Sequence, residues 1–394
     1  SRQRSYDRRR CEKTRMLGGK GSMAVIPAPK THDDVAMNQH LIPRCYMKAW
    51  KHNSGKDPKV WLFDKGADYC ESNPENSNWA LKSFSTKEIM AKNGFHDIKA
   101  GSPYMPDEAL HEIYDDILQF NVVCDGKALN SPELLNQYFY DFDKWEIKDS
   151  SGIKFTEDER RHLKEYFNNS RWTYVETEWA HTYENSWGQF IQSVENKIKQ
   201  AYANRNTSTN SSVTQGELST LMKYCMIYNW RSIAGNEIFN SVYDFVPFTD
   251  ELKKITIPEA ERTYEDDVTA YDQMKHASII KAFVDYLQSD NGKMKTIESA
   301  FMQRMAPVFL MTDDTNLFIT SDVPSFTRDR ADGLKDIIFV ATPTLAIGYG
   351  RGEVGKFIVS KLSQNEVLEY NKSIAKYGSK LIIKDQNYNV KKLF

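Results

Sequence analysis

The sequence predicts an α+β protein, helix-rich in its N-terminal and central parts with a mostly antiparallel sheet in its C-terminal third. Apolar residues recur at helical spacing through residues 106–120, 172–201, 215–230 and 264–287, short β-rich runs separated by turns fill the last hundred residues, and no βαβ alternation is present.

The elements follow in order. Residues 24–30 are extended and hold two prolines, and Pro43 suits the first position of a short helix carrying Cys45, Tyr46, Ala49 and Trp50. Residues 59–63 read as a strand between turn formers, and 70–104 as irregular. In 106–120, Leu110, Ile113, Tyr114, Ile117 and Leu118 form one buried face opposite Glu108, Glu112 and Asp116. The longer helix over 172–201 buries Trp179, Trp187, Ile191, Val194 and Ile198, and residues 121–170 between the two are a polar, aromatic-rich insertion with a helix at 156–168. The helix over 264–287 is stopped by Asp290-Asn-Gly292. Strands are predicted at 307–311, 317–320, 337–341, 345–349, 357–361 and 380–384, with one helix among them at 364–377.

The polar run at 204–213 reads as a linker-like loop between an N-terminal part, 23–203, and a second part, 214–394, that together make one fold. The net charge of −2 conceals an uneven distribution, because residues 1–22 hold eight Lys and Arg against Asp7 and Glu12, so the remainder is −8. A basic arm for nucleic acid is one reading of that segment. The preferred reading is a non-native or upstream leader, since Gly18-Gly19 can be encoded by a ribosome-binding sequence a few codons before Met23. Five cysteines without a CxxC pair argue against a disulfide framework and a clustered zinc site. No apolar run approaches the roughly 18–20 residues of a membrane span, so the expected location is cytoplasmic.

Two motifs carry little chemistry. Gly350-Arg-Gly-Glu-Val-Gly355-Lys356-Phe357 fits GxxxxGK, but Phe357 replaces the hydroxyl that would hold magnesium and a strand follows where a helix is needed, so a glycine-rich hairpin is expected. The eight histidines show no HxH or HxxxH spacing, against a local metal site.

Other residues point to a site. His40 lies just ahead of the predicted helix start, where the helix dipole disfavours the imidazolium and leaves the ring able to accept a proton. The alternative is a histidine that only bonds nearby backbone. Arg231 leaves an apolar helix end and needs a carboxylate or an anionic ligand, with Glu184 and Asp322 as candidate partners; capping of helix carbonyls is the plainer role. Thr320, Ser321 and Asp322 cluster at a strand end, where either a site or a simple turn is expected.

The run Gln39-His40-Leu-Ile-Pro43-Arg-Cys-Tyr46-Met-Lys-Ala-Trp50 and the segment Phe318-Ile-Thr-Ser-Asp322-Val-Pro324 resemble the HxxPxxY and FITSDxP signatures of domain-of-unknown-function family 4238. Asn371-Lys-Ser-Ile-Ala375 followed by Leu381-Ile-Ile383 is similar to its closing helix and strand, whereas Arg231-Ser-Ile departs from the family's Arg-Thr-Pro-like step. The resemblance implies a shared fold and a pocket in which His40, Arg231, Ser321 and Asp322 converge, with Tyr46 and Thr320 as ligand contacts.

The function expected from these residues is a hydrolase, of the nuclease-like effector kind found in phage-defence or toxin systems. His40 is the acid or base, Arg231 the phosphate or oxyanion clamp, Asp322 the group orienting the histidine or holding a divalent cation, and Glu184 the second carboxylate. The partner is then nucleic acid or a nucleotide, with a homo-oligomer or a partner protein left open. The alternative is a non-catalytic ligand-binding or interaction protein with an aromatic-rich groove, built from 20 Phe, 21 Tyr and 8 Trp. Mass spectrometry of the natively expressed protein is expected to return no peptide from residues 1–22; any such peptide overturns the leader assignment.

Overall fold

A computed structural model describes residues 26–29, 38–204, 213–232, 249–289, 291–329, 335–351 and 357–394. The fold is α+β, as the sequence predicts. The leader, most of the 204–213 loop and the centre of the glycine-rich hairpin lie outside the described residues.

The C-terminal third forms a five-stranded sheet in the order Ser325–Asp329, Lys335–Thr342, Leu345–Arg351, Met305–Met311, Ile358–Lys361. Its pairings are antiparallel except the last, where Ile358–Lys361 runs parallel to Met305–Met311. The inner strands are apolar on both faces, with Ile338, Phe339, Val340 and Ala341 all buried, as expected of strands covered on two sides. The helix Asn185–Ala203 packs against this sheet. A second sheet joins distant parts of the chain in the order Lys82–Ser85, Lys59–Asp64, Lys380–Ile383, Thr320–Ser321. Residues 121–170 fold into a three-stranded sheet, Lys127–Ala128, Asn121–Cys124, Trp145–Lys148, with the helices Pro132–Gln137 and Glu157–Asn169. One cluster of buried apolar side chains runs from Ile42 to Leu393.

Several element boundaries differ from expectation for local reasons. The predicted 264–287 helix begins at Ala270, because Thr269 and Asp272 exchange side-chain and backbone hydrogen bonds and so terminate it. Gly292 ends the expected loop and opens another helix, Gly292–Arg304, which periodicity did not reveal. The 106–120 helix is α only over Asp107–Tyr114 and tightens to 3₁₀ at Asp115–Ile117. Within 70–104, read as irregular, lie the strands Lys82–Ser85 and Ala91–Asn93. His40 is the last residue of a short strand, Asn38–His40, paired with Ala91–Asn93, and Pro43 caps the helix Arg44–Met47.

The segment Phe318 to Pro324 acts as a latch at the edge of the second sheet, against Lys380–Ile383 and the helix Gln364–Tyr377. Ser321 and Thr320 pair with Leu381 and Ile382, and Asn371 donates to the Leu317 carbonyl while accepting from the Ile319 N–H. Gly378 ends the helix Gln364–Tyr377 at ordinary φ, and a Cβ there would fall 2.3 Å from the Ser321 Cβ. The Gly378→Ala variant should therefore unfold about 1–3 kcal/mol more readily in urea, the typical cost of overpacking; unchanged stability would mean the contact yields freely.

Candidate functional site

Arg231 is the last residue of the helix Gln215–Arg231, whose preceding turns hold buried Cys225, Ile227, Tyr228 and Trp230. Its side chain is 1% exposed, so its charge must be met by protein groups. Nη2 bonds both carboxylate oxygens of Glu176 at 3.0 and 3.1 Å and the His40 carbonyl at 2.7 Å, and Nη1 bonds Glu184. The guanidinium also lies 4.6 Å from the Trp179 ring centre. Burial works against the charge, but Glu176 and then Glu184 outweigh it and hold Arg231 above its ordinary pKa.

The two carboxylates reach one guanidinium because their helix is irregular. Along an unbroken α-helix, eight residues turn through about 800°, which would leave Glu176 and Glu184 roughly 80° apart around the axis. Between the helices Tyr174–Trp179 and Asn185–Ala203, the segment Ala180–Glu184 is a π-helix. Its wider turn rotates less per residue and closes that gap.

His96 completes the cluster, its Nδ1–H donating to Glu176 at 2.5 Å while its ring packs edge-on against Trp179. Its Nε2 is buried without a hydrogen-bond partner, as is Arg231 Nε. The His96 N–H donates to the Gln39 side-chain oxygen, and the Gln39 amide donates to Asp97. The strand residue beside His40 thus fixes the loop that bears His96. His40 is half-buried, and its Nε2–H donates to the Thr86 carbonyl at 3.0 Å. Burial lowers the pKa of His40 to about 4, opposing that hydrogen bond, and burial likewise lowers His96 to about 4 despite Glu176. Both rings are neutral near pH 7, His40 through burial more than through a helix dipole.

Glu184 is where this buried cluster meets a cleft of about 1050 Å³. Arg44, Cys45, Lys48 and Lys51 line it from one segment, and Glu184, Trp187 and Glu195 from another. Thr342 and Thr344 donate to Glu195, and Lys199 pairs with it. Cys45 is poorly nucleophilic, because burial pushes its thiol up to about 12 and Glu184 adds to that.

His40, Glu184 and Arg231 therefore come together, joined by Glu176 and His96, to which the sequence assigned no role. The other expected site residues are held elsewhere. Tyr46 is fully buried, donating to the Val340 carbonyl and bonding the Thr320 hydroxyl, each at 2.6 Å. Ser321 closes a turn onto Val323. Asp322 orients no histidine: it accepts the Ser379 and Lys380 N–H groups at 2.8 and 3.2 Å, and burial raises its pKa against those bonds. Among the described residues, no group of three or more His, Cys, Asp or Glu side chains is placed to hold a metal ion.

One family model, described as a protein of unknown function (DUF4238), matches residues 38–387. The chain belongs to the DUF4238 family. Comparison with curated proteins and with solved structures returned no match. The matched range contains every residue of the DUF4238 cluster described above, from Gln39 to Arg231, and the latch at Phe318 to Pro324. No helix among the described residues is long and apolar enough to cross a membrane.

The two depressed histidines set a pH dependence. Their folded pKa of about 4 lies below the unfolded value near 6.5, so the unfolded chain takes up protons first and stability present above pH 6.5 is lost as pH falls towards 4. His276, raised by Asp267 against its burial, works in the opposite sense. The urea midpoint of His40→Asn is expected to fall less than that of the parent between pH 6.5 and 4; equal slopes would remove His40 from the account.

Proposed function

We propose that the protein is a hydrolase whose reacting groups meet at Glu184. The observation that carries this reading is that Glu184, held by buried Arg231, is the carboxylate at which the His96–Glu176–Arg231 network opens into the cleft. A carboxylate fixed by a rigid ion pair keeps its position towards an attacking water, and general-base catalysis needs such fixed geometry before it needs a tuned pKa. Arg44 and Lys48 beside it supply positive charge for an oxyanion or a phosphoryl oxygen. In this reading Arg231 is a positioning residue, since Glu176 and Glu184 already neutralise it, and His40 contributes through its backbone carbonyl to the same guanidinium.

A second reading, a ligand-binding protein without chemistry, draws on a specific observation. Both terminal nitrogens of the guanidinium already bond carboxylates and its Nε is buried, while His40 Nε2 is committed to the Thr86 carbonyl, so neither presents a donor pair to a substrate. A place in phage defence or a toxin system rests on no residue of the cleft and is carried no further.

Turnover of phosphodiester, phosphomonoester and carboxylic ester substrates, with and without divalent cations, separates the two. The parent is expected to hydrolyse one class, and Glu184→Gln to lose about 10²–10⁴-fold, the usual share of a general base. A Glu184→Gln variant as fast as the parent places the chemistry elsewhere, and absence of turnover on every class leaves the binding reading.

A further inference from the structure

We infer that the cleft takes the phosphodiester backbone of a single-stranded nucleic acid along Arg44, Lys48 and Lys51. This deepens the hydrolase reading by naming what lies beside Glu184, and it rests on that reading only for what happens to the ligand after binding.

The three cations stand at i, i+4 and i+7 of one segment that is α-helical over Arg44–Met47 and 3₁₀ over Lys48–Trp50. Both spacings return to one face, and all three side chains line the cleft. Four residues at about 1.5 Å and then three at about 2.0 Å each advance about 6 Å. The row is therefore evenly spaced. Phosphates of a stacked strand advance about 3.4 Å per nucleotide along the axis, and an unstacked strand stretches further, towards the interval of this row.

The row is also electrostatically unspent. Lys48 and Lys51 are exposed, and among the described residues none of the three forms an ion pair. Arg44 is half-buried where it lines the cleft, and its Nε has no hydrogen-bond partner. Lys384, also lining the cleft, is tied to the Ala49 carbonyl at 3.2 Å.

The remaining charges argue for one strand rather than two. Glu184, Glu195 and Asp314 also line the cleft. Glu184 and Glu195 are anchored, the first by Arg231 and the second by Thr342, Thr344 and Lys199, so they do not swing away from an incoming phosphate. A ligand with phosphates along one edge meets the cations and avoids the carboxylates; a duplex, charged on both edges, meets both. Trp187 lines the cleft but is 1% exposed, so recognition falls on the backbone rather than on bases stacked against an aromatic ring.

The test is fluorescence anisotropy of a labelled 12-nucleotide single-stranded RNA against the full chain, titrated at several salt concentrations. Three phosphate contacts predict a log–log salt slope near about −2. Lys48→Ala/Lys51→Ala, which changes two exposed side chains, is expected to weaken binding at least about tenfold and to flatten the slope by about 0.7 for each lysine removed. Glu184→Gln is expected to bind RNA at least as tightly as the parent. RNA binding that persists with no turnover of any of the three substrate classes keeps this inference and removes the hydrolase reading. Turnover dependent on Glu184, with RNA unbound or bound equally by the double lysine variant, removes this inference and keeps the other. Equal or tighter binding of the matching duplex, or full displacement by tripolyphosphate at equal phosphate concentration, overturns the single-strand assignment.

Discussion

The site is organised by one buried cation. Arg231 ends a helix inside the protein, and its guanidinium ties that helix to Glu176, to Glu184 and to the His40 carbonyl on a separate strand. The chain segments that meet there span positions 40 to 231, so the contact closes long loops whose ordering costs entropy. Such a contact persists only if it is well satisfied, because a charge left alone in the interior costs several kcal/mol. Two carboxylates, a carbonyl and an aromatic face meet the cation, with His96 saturating one carboxylate from behind. The charges of the network are met within it, although Arg231 Nε and His96 Nε2 stay unpartnered, which makes it a support rather than a reservoir of free charge.

The local distortions follow from that demand. Glu176 and Glu184 share one guanidinium only because the five residues Ala180–Glu184 adopt the wider π turn, at the cost of poorer helix geometry. The same distortion brings Glu184 to the mouth of the cleft while Glu176 stays behind it. One carboxylate is thereby structural and its twin accessible, although both hold the same partner. The Phe318 to Pro324 segment shows the opposite case, where polar residues gathered at a strand end serve only the fold. Asp322 caps two backbone N–H groups, Ser321 closes a turn, and Gly378 lacks a side chain because Ser321 occupies its space.

That contrast explains what was legible in the sequence. Helices with a clear apolar stripe, such as Glu157–Asn169 and Gln364–Tyr377, were readable within a residue, since each opens with a Thr or Ser capping box. Four of the five strands of the C-terminal sheet were readable because β-branched and aromatic runs stand between turns; Ser325–Asp329, the edge strand, was not. The need of Arg231 for a carboxylate, with Glu184 as a candidate, was readable from burial alone. Glu176 was not, because its pairing depends on a π segment that has no periodicity of its own. His96 was hidden in a stretch read as irregular, where the strand Ala91–Asn93 is too short for an alternation signal. Asp322 was misplaced because a carboxylate at a strand end looks the same in sequence whether it meets a ligand or a backbone turn.

Charge accounting then separates scaffold from working surface. Arg231, Glu176, Glu184 and neutral His96 together carry one net negative charge, which draws no anion by itself. Attraction for an anionic ligand must come from cations that the fold has not already spent, and the 44–51 segment holds three of them. These two sets are adjacent because Cys45 and Glu184 line the same cleft, and the helix Arg44–Met47 packs against Asn185–Ala203. In the proposed reading, the buried ion pair positions a carboxylate that an anion alone would avoid, and the exposed cations bring the anion to it. In that reading neither set is sufficient: without the row the carboxylate would repel an anionic ligand, and without Arg231 it would have no fixed place to meet one.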